Sequence, residues 1–219
     1  MNIEYRKTKD NSYTLYLPEL NETYHSLNGA YTESMHVFIK NGYHYCRTNP
    51  LSVLEIGFGT GLNTILTFIE NEKEEREVTY HSIEKHPLHT EIIKKLNYHT
   101  LFDNKRYRQF IALHELEWNK EHKLDAKFTF KKIEKDITYY TPDHLYDLIF
   151  FDAFGPDKQP AMWTNNIFSK TYNCMNKNGI IVTYSAKGSV RRMMQEMGFV
   201  AERIPGPPGK REMLRGKKK

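Results

Sequence analysis

The sequence predicts an α/β fold in which helices cover both faces of a doubly wound, mostly parallel sheet. Strand-like and helix-like segments alternate through most of the 219 residues, as they do in chains built from βαβ units. The first buried strand of the series, "LSVLEIG", begins at Leu51 and runs into glycines at every second position before a helix starts. Ligands of doubly wound sheets bind at such turns, beyond the carboxyl ends of the strands.

The N-terminal part predicts a small extension to this sheet. The segments "IEYRKT" and "SYTLYL" alternate in polarity around a "KDNS" turn, which is the pattern of a β-hairpin. A second turn at Asn28-Gly29 precedes a helical segment. We therefore expect residues 1–45 to form a hairpin and helix packed on the core, and residues 46–219 to form the main domain of a single compact unit.

The other elements follow in order after Leu51. Helices are predicted for "LNTILTFIENEK", "HPLHTEIIKKLNYH", "DNKRYRQFIALHELEWN", "MWTNNIFSKTYNCMN" and "KGSVRRMMQEMGF". Strands are predicted for "REVTYHSIEK", "AKFTFKKIEKD", "YDLIFFDAF" and "NGIIVTYSA", the last beginning after a helix stop at Asn178-Gly179. The end of the chain, "FVAERIPGPPGKREMLRGK", predicts a C-terminal antiparallel hairpin with a loop rich in proline and glycine.

Composition excludes several classes of protein. No apolar run approaches the length of a membrane helix, and the first residues lack the apolar core of a secretion signal. Cys46 and Cys174 are far apart, so we expect neither a disulfide scaffold nor a metal site. The expectation is a cytoplasmic protein with no membrane partner. The formal charge of +5, concentrated near the C-terminus, permits a polyanionic partner.

The spacing of the three glycines indicates the kind of nucleotide. Gly57, Gly59 and Gly61 follow the pattern G-x-G-x-G, and Leu62 stands where the dinucleotide fingerprint G-x-G-x-x-G requires glycine. This weakens an NAD-dependent oxidoreductase interpretation. The carboxylate of Glu55 would repel a pyrophosphate but suits a cationic ligand, and S-adenosylmethionine carries an amino group and a sulfonium centre. The pattern E-x-G-x-G-x-G resembles the first motif of Rossmann-like class I S-adenosylmethionine-dependent methyltransferases.

Two further acids stand at predicted strand ends. Glu84 ends the second core strand, where a carboxylate can accept both hydroxyls of a ribose. Asp136 ends the third strand and is a candidate acceptor for the amino group of adenine. An acid in that position could also cap the next helix.

The segment "DLIFFDAFGPDKQPAMW" carries the candidate catalytic residues. Asp152 ends a buried strand, and "DAFGP" resembles the short Asp/Asn-Pro-Pro-aromatic motif of methyltransferases that act on amino groups. A carboxylate can accept a hydrogen bond from an amine, align it and receive its proton, while Phe154 can stack on a base. The alternatives are a helix cap for Asp152 and core packing for Phe154 and Trp163. For Trp163 core packing is the favoured interpretation.

Six segments together resemble one specific family. They are "YHSLNGAYTESMHVF", "LEIGFGTGLN", "IEK", "FDAFGPDKQPAMW", "GIIVTYSAKGSVRRMMQEMGF" and "GPPGKREMLRG". In this order, from about residue 20 to residue 216, they resemble the methyltransferase domain of MnmC-type tRNA modification enzymes. The resemblance implies S-adenosylmethionine-dependent N-methylation of an aminomethyl group on the wobble uridine of tRNA, giving 5-methylaminomethyl-uridine, often in its 2-thio form.

The resemblance also implies roles for individual residues. Asp152 is implied to be catalytic, with Phe154 beside it, and also to border the cofactor. The other implied cofactor-binding residues are Glu33, Glu55, Gly57, Gly59, Gly61, Asn63, Glu84 and Asp136. The implied tRNA-binding residues are Lys187, Arg191, Arg192, Lys210 and Arg211.

The implied partner is the tRNA anticodon loop, bound by a monomer. The chain resembles a stand-alone form without the FAD oxidase domain of the bifunctional members, so a separate enzyme is expected to prepare the amine. The family motif "DGFAP" reads "DAFGP" here, which bears on the shape of the loop but keeps its acid and proline.

Two further functions remain open from the sequence. An aminopropyltransferase of the spermidine-synthase type shares the fold and a related cofactor, but it needs extra acids to bind a polycationic amine. Basic residues follow the catalytic segment here instead. A non-catalytic RNA-binding module with the same fold is the other alternative, and the presence of Glu55, Glu84 and Asp152 argues against lost catalysis.

Overall fold

A computed structural model describes residues 2–219 and contains an eight-stranded central sheet. Its strand order is β10-β11-β9-β8-β4-β5-β7-β6, and the five strands from β9 to β7 in this order run parallel to one another. A second sheet has the order β1-β2-β3. The strands are β1 (Glu4–Lys7), β2 (Tyr13–Leu17), β3 (Glu22–Thr23), β4 (Leu51–Ile56), β5 (Val78–Glu84), β6 (Glu121–Lys123), β7 (Phe128–Glu134), β8 (Tyr146–Phe151), β9 (Met175–Thr183), β10 (Phe199–Pro205) and β11 (Glu212–Lys218).

Helices cover both faces of the central sheet, which confirms the predicted α/β fold. They are α1 (Ala30–Ser34), continued by a π-helix (Met35–Tyr43), α2 (Leu62–Glu74), α3 (Thr90–Lys94), α4 (Asn104–Glu115), α5 (Asn165–Asn173) and α6 (Gly188–Glu196). Alternate residues of each strand enter different cores because strand side chains have a period of two. Val53 packs with α2 and α4 on one face, whereas Leu54 packs with α5 and α6 on the other.

The order in which successive strands are placed in the sheet reverses at β4: β5 and β7 lie on one side of it, and β8 lies on the other. β4 pairs with β5 on one side and with β8 on the other, so the loops after β4 and β8 leave the sheet side by side. Such a switch point opens a crevice at the carboxyl ends of the strands. The predicted glycine segment and Asp152 both lie at this crevice.

The N-terminal extension is held to the central sheet by buried side chains. Leu15 of β2 and Val37 of the π-helix belong to the same buried cluster as Val53. Asp10 accepts hydrogen bonds from Ser12 within the turn and from Thr32, and the bond from Thr32 ties the first hairpin to α1. The hairpin and the following helical segment therefore form as predicted, and the C-terminal hairpin of β10 and β11 is confirmed as well.

Three details differ from the sequence prediction. Asn178-Gly179 does not end a helix but lies inside β9, where Asn178 adopts a left-handed φ of 66° at a register irregularity against β8. The same dipeptide suits a bulge because asparagine tolerates this conformation. The second predicted helix is reduced to α3 and a 3₁₀ turn (Asn97–Thr100), since the buried Leu96 between them is extended. The edge strand β6 was not predicted.

No helix among residues 2–219 has both the length and the apolar composition needed to cross a membrane.

Candidate active site

A cavity of about 530 Å³ opens at the carboxyl ends of β4, β5, β7 and β8. This volume lies within the range of roughly 300–1,000 Å³ that small-molecule sites occupy. Seven residues predicted for the site line it: Gly57, Gly59, Asn63, Glu84, Asp136, Asp152 and Phe154. The N-terminal extension supplies part of the wall through Tyr24 and His25.

The glycine loop needs its glycines because of backbone geometry and close packing. Gly57 has a φ of 99°, and a Cβ atom added there would lie 2.6 Å from the carbonyl oxygen of Asp152. The loops after β4 and β8 can approach this closely only without a side chain between them. The loop then enters α2 through Gly61, whose φ is 72°. Gly61 itself lies behind the cavity wall, against His114.

Glu84 forms part of the cavity wall at the end of β5, as predicted. Its Oε2 accepts the backbone N–H of Gly59 at 3.0 Å, and its Oε1 accepts the N–H of His86 at 2.8 Å. Burial raises the pKa of Glu84, and these backbone hydrogen bonds oppose the rise. A carboxylate offers about four acceptor positions, so acceptor capacity remains for a donor from the cavity.

Asp152 stands at the carboxyl end of β8 on the cavity wall. Its Oδ2 accepts a hydrogen bond from the side-chain amide of Asn63 at 2.8 Å. No backbone N–H within residues 2–219 donates to its carboxylate, so the helix-cap alternative is not what the structure shows. Burial raises the pKa of Asp152 well above its usual range, and the charges of Glu33 and Glu55 raise it further. Asn63 and Lys210 act in the opposite direction.

Aromatic side chains surround the cavity next to Asp152. Phe154 lines the cavity and meets Tyr24 edge to face, with ring centroids 5.1 Å apart. Trp163 is buried, packs on Phe151 and donates its indole N–H to the Phe154 carbonyl at 2.7 Å. Core packing is thus confirmed for Trp163, and its hydrogen bond fixes the loop that presents Phe154. Tyr184 lines the cavity too and donates its hydroxyl to the Ala153 carbonyl at 2.8 Å.

Asp136 lines the cavity but is also engaged in its own turn. Its Oδ1 accepts the backbone N–H and the hydroxyl of Thr138, and its Oδ2 pairs with Lys85 at 2.9 Å. Burial alone would raise the pKa of Asp136, but the hydrogen bonds from Thr138 and Lys85 prevail and lower it to about 2. These contacts close a turn and not a helix, so the helix-cap alternative is not what the structure shows, and binding of adenine stays a prediction.

Glu55 does not reach the cavity, in contrast to the expectation that its carboxylate would face a cationic ligand. The side chain is fully buried behind the glycine loop, where Oε2 accepts the hydroxyls of Ser82 at 2.6 Å and Thr64 at 3.0 Å. The reason is the alternation of β4, which turns Glu55 towards α2. Burial raises the pKa of Glu55 to about 7, against the opposing effect of its hydrogen bonds. Its influence on the site is through charge, since it raises the pKa of Asp152.

The raised pKa of Glu55 makes stability depend on pH. Its usual value is 4.5, so its contribution to folding is complete below that pH and is lost as the pH rises through about 7. We expect the free energy of unfolding to lose about 2 kcal/mol through this group between about pH 5.5 and about pH 8.5. In Glu55→Gln that part of the pH dependence should disappear, as measured by urea unfolding at both pH values. The exposed control Glu196→Gln should keep it, and an unchanged dependence in Glu55→Gln would contradict the assignment.

Glu33, predicted for the cofactor, and Lys210, predicted for tRNA, form an ion pair beside the site. The Lys210 Nζ lies 3.0 Å from Oε1 of the buried Glu33, which does not line the cavity. The other predicted RNA-binding residues lie nearer to solvent. Arg192 and Arg211 are exposed, Lys187 is paired with Asp157, and Arg191 is half-buried.

Sequence reasoning missed the tyrosines that line the wall, Tyr24, Tyr139 and Tyr184. Tyr24 belongs to the N-terminal extension, and no strand-end pattern distinguishes it. Tyr184 directly follows the buried end of β9, and this placement is the one signal that could have identified it.

A family model matches this chain, and known proteins are similar to it in sequence. A family model described as S-adenosyl-L-methionine-dependent methyltransferase matches residues 96–219, more than half of the chain. The tRNA 5-methylaminomethyl-2-thiouridine biosynthesis bifunctional protein MnmC of Cupriavidus metallidurans is 28% identical and covers 93% of this chain with 32% of its own length. The protein of the same name from Leptospira interrogans is 29% identical, with 95% and 34% covered. This chain therefore spans about a third of the length of the curated relatives it matches.

Solved structures show the same fold. MNMC2 from Aquifex aeolicus has a TM-score of 0.82 at 23% identity and covers 100% of this chain and 70% of its own. Spermidine synthase from Thermotoga maritima has a TM-score of 0.55 at 12% identity, with 100% and 72% covered. At these identities the likeness concerns the fold alone. The sequence relatives confirm the resemblance to MnmC-type proteins, and the family match shows that the chain belongs to the S-adenosyl-L-methionine-dependent methyltransferases.

Proposed function

We propose that this chain methylates the nitrogen of the aminomethyl group on wobble 5-aminomethyl-(2-thio)uridine of tRNA, with S-adenosylmethionine as the methyl donor. The product is 5-methylaminomethyl-(2-thio)uridine. The names of the sequence relatives refer to the biosynthesis of this nucleoside, and the methyltransferase family supplies the reaction type.

The observation that carries the proposal is the position of Asp152 on the cavity wall. Its carboxylate is oriented by the amide of Asn63, and aromatic rings stand beside it at Phe154 and Tyr184. An ionised carboxylate there accepts a hydrogen bond from an amine and stabilises the positive charge that grows as nitrogen becomes methylated.

The cavity fits S-adenosylmethionine in size and in the chemistry of its donors and acceptors. Glu84 retains acceptor positions for the ribose hydroxyls, and the glycine loop leaves room for the ligand at the end of β4. Asp136 and the neighbouring Ile137 would border the adenine. When bound, the cofactor supplies a methyl group on a positively charged sulfur, which is open to attack by an amine lone pair.

The target base would enter beside the aromatic wall. The wobble nucleotide belongs to a single-stranded loop, so turning its base out costs little compared with opening a duplex. Phe154 and Tyr24 present a ring pair at the cavity, and such rings stack on bases. A protonated amine must lose its proton before it reacts, and Asp152 is the group beside which this would occur.

The basic residues near the C-terminus would bind tRNA phosphates. Replacing both Arg191 and Arg192 by alanine should weaken tRNA binding and lower the slope of log Kd against log salt by about one to two. Filter binding at several salt concentrations measures this slope. The double variant Lys105→Ala/Arg108→Ala on α4 removes two exposed charges elsewhere and should leave the slope unchanged. Equal tRNA affinity of the Arg191/Arg192 variant and the unmodified chain would remove this face from the proposal.

Several further properties belong to the proposal. The chain would work as a monomer in the cytoplasm. Residues 1–45 would act as an extension that completes the cavity of the methyltransferase domain, residues 46–219. The wall position of Tyr24 supports this division of labour.

A panel of acceptors tests the proposal against its rival. Transfer of labelled methyl groups is measured to tRNA carrying 5-aminomethyl-uridine and to tRNA carrying 5-carboxymethylaminomethyl-uridine. Aminopropyl transfer from decarboxylated S-adenosylmethionine to putrescine is measured in parallel. We expect activity on the aminomethyl tRNA only. Activity on putrescine with none on tRNA would contradict the proposal and establish the aminopropyltransferase alternative.

A further inference from the structure

The side chain of Lys210 is directed into the molecule, although it lies on the loop between β10 and β11. Its Nζ lies 3.0 Å from Oε1 of Glu33 and 3.9 Å from the ring centroid of Tyr184, and 35% of the side chain is exposed. The ammonium group therefore joins three parts of the chain that are distant in sequence: α1, the segment after β9 and the C-terminal hairpin.

Glu33 needs this cation because its carboxylate is enclosed. Only 9% of its side chain is exposed, and the other oxygen, Oε2, accepts the backbone N–H of Ser26 at 2.8 Å. A buried carboxylate without a cationic partner is strongly disfavoured. Within residues 2–219, Lys210 is the one cation that pairs with Glu33.

The Glu33–Lys210 pair also acts on Asp152. Tyr184, under the ammonium group, donates its hydroxyl to the carbonyl of Ala153, the residue after Asp152. After burial, the charge of Glu33 is the largest influence that raises the pKa of Asp152, and Lys210 is the cation that lowers it. The ionisable groups coupled to Asp152 are Glu33, Glu55, Tyr80, Tyr184 and Lys210.

We propose that Lys210 is a positioning residue: by pairing with Glu33 it offsets the negative charge beside Asp152 and so favours the ionised form of the Asp152 carboxylate. Its consequence for catalysis rests on the proposed amine methylation, whereas its effect on Asp152 does not. Lys210 then contributes to the reaction through the electrostatics of the site and not through contact with tRNA phosphate.

Titration of the Asp152 carboxyl in the free chain tests the proposal without any substrate. The side-chain carboxyl carbon is followed by carbon-13 NMR as the pH changes, and Asp152→Asn identifies its signal. The variants are Lys210→Met, Glu33→Gln, the double variant with both changes, and Lys210→Arg, which keeps the charge. Lys177→Met removes an exposed lysine of β9 as the control. Thermal melting establishes that each variant is folded.

We expect Lys210→Met to raise the pKa of Asp152 by roughly one pH unit and Glu33→Gln to lower it. In the double variant, the pKa of Asp152 should return towards its value in the unmodified chain. In Lys210→Arg and in Lys177→Met, the pKa of Asp152 should equal that value. The acidic limb of kcat/KM for methyl transfer should move in the same directions, with the salt dependence of tRNA binding unchanged in Lys210→Met. The substrate amine titrates equally in every variant, so differences between variants report the protein.

If Lys210→Met is folded and the pKa of Asp152 is unchanged, the proposal is overturned. A lower slope of log Kd for tRNA against log salt in the same variant would then show that Lys210 contacts tRNA phosphates. If Lys210→Met does not fold, Glu33→Gln decides alone. An unchanged Asp152 titration in Glu33→Gln would show that Glu33 has no charge effect on Asp152 for Lys210 to cancel, and would overturn the proposal. Absence of methyl transfer by the unmodified chain would contradict the proposed function but leave the titration result valid. The two failures are therefore distinguishable.

Discussion

Asp152→Asn is expected to reduce methyl transfer to aminomethyl tRNA by about two to four orders of magnitude. The amide keeps the shape of the carboxylate and can still contact Asn63, which donates to Asp152 at 2.8 Å. It loses the negative charge that accepts the amine hydrogen and stabilises the charge growing on nitrogen. The rate constant at saturating cofactor and tRNA is the quantity to measure.

Cofactor binding separates a catalytic role of Asp152 from a structural one. The dissociation constant of S-adenosylmethionine, measured by calorimetry, should change by no more than about tenfold, equivalent to about 1.4 kcal/mol. Asp125→Asn, in an exposed turn before β7, is the matched control and should leave both quantities unchanged. Equal losses of binding and transfer in Asp152→Asn would show that Asp152 only maintains the structure.

Gly57→Ala is expected to abolish measurable cofactor binding while most of the chain still folds. The added Cβ would lie 2.6 Å from the carbonyl oxygen of Asp152, at a φ of 99° that residues with side chains rarely adopt. Because the obstacle is backbone, relief requires the loops after β4 and β8 to separate. Such backbone strain costs about 1–3 kcal/mol, and the separation moves Asp152 relative to the cavity. Calorimetric titration with S-adenosylmethionine measures the loss.

Gly188→Ala provides the control for this substitution. A Cβ at Gly188 would meet only flexible arginine side chains, at 3.5 Å or more, and Gly188 opens the helix α6. Cofactor affinity should therefore be retained. Normal affinity in Gly57→Ala would mean that the ligand does not depend on the shape of the glycine loop.

The site residues that sequence analysis identified each lie at a point where a strand ends and a loop begins. Gly57, Glu84 and Asp152 stand at the carboxyl ends of β4, β5 and β8, and parallel pairing brings these ends to one edge. The motif and the sheet topology together therefore place them around one cavity. No contact between distant segments had to be known.

Side-chain direction and long-range pairing could not be predicted in the same way. β4 is buried on both faces, so no alternation of polar and apolar residues showed that Glu55 turns away from the cavity. The pairing of Glu33 with Lys210 joins residues 177 positions apart, and each residue alone has several plausible partners. Asn178-Gly179 shows a third limit, because the left-handed conformation of Asn178 fits a helix stop and a strand bulge equally well.

The central claim is that the methyl group arrives on the aminomethyl nitrogen of the wobble nucleoside. The most direct test is mass spectrometry of nucleosides from tRNA that carries 5-aminomethyl-uridine, after incubation with the chain and S-adenosylmethionine bearing a deuterated methyl group. We predict conversion of 5-aminomethyl-uridine to its singly methylated form. When fragmentation releases the side-chain amine from the base, the label should leave with the amine. A label on a ribose hydroxyl or a ring atom, or an unlabelled wobble nucleoside, would contradict the account.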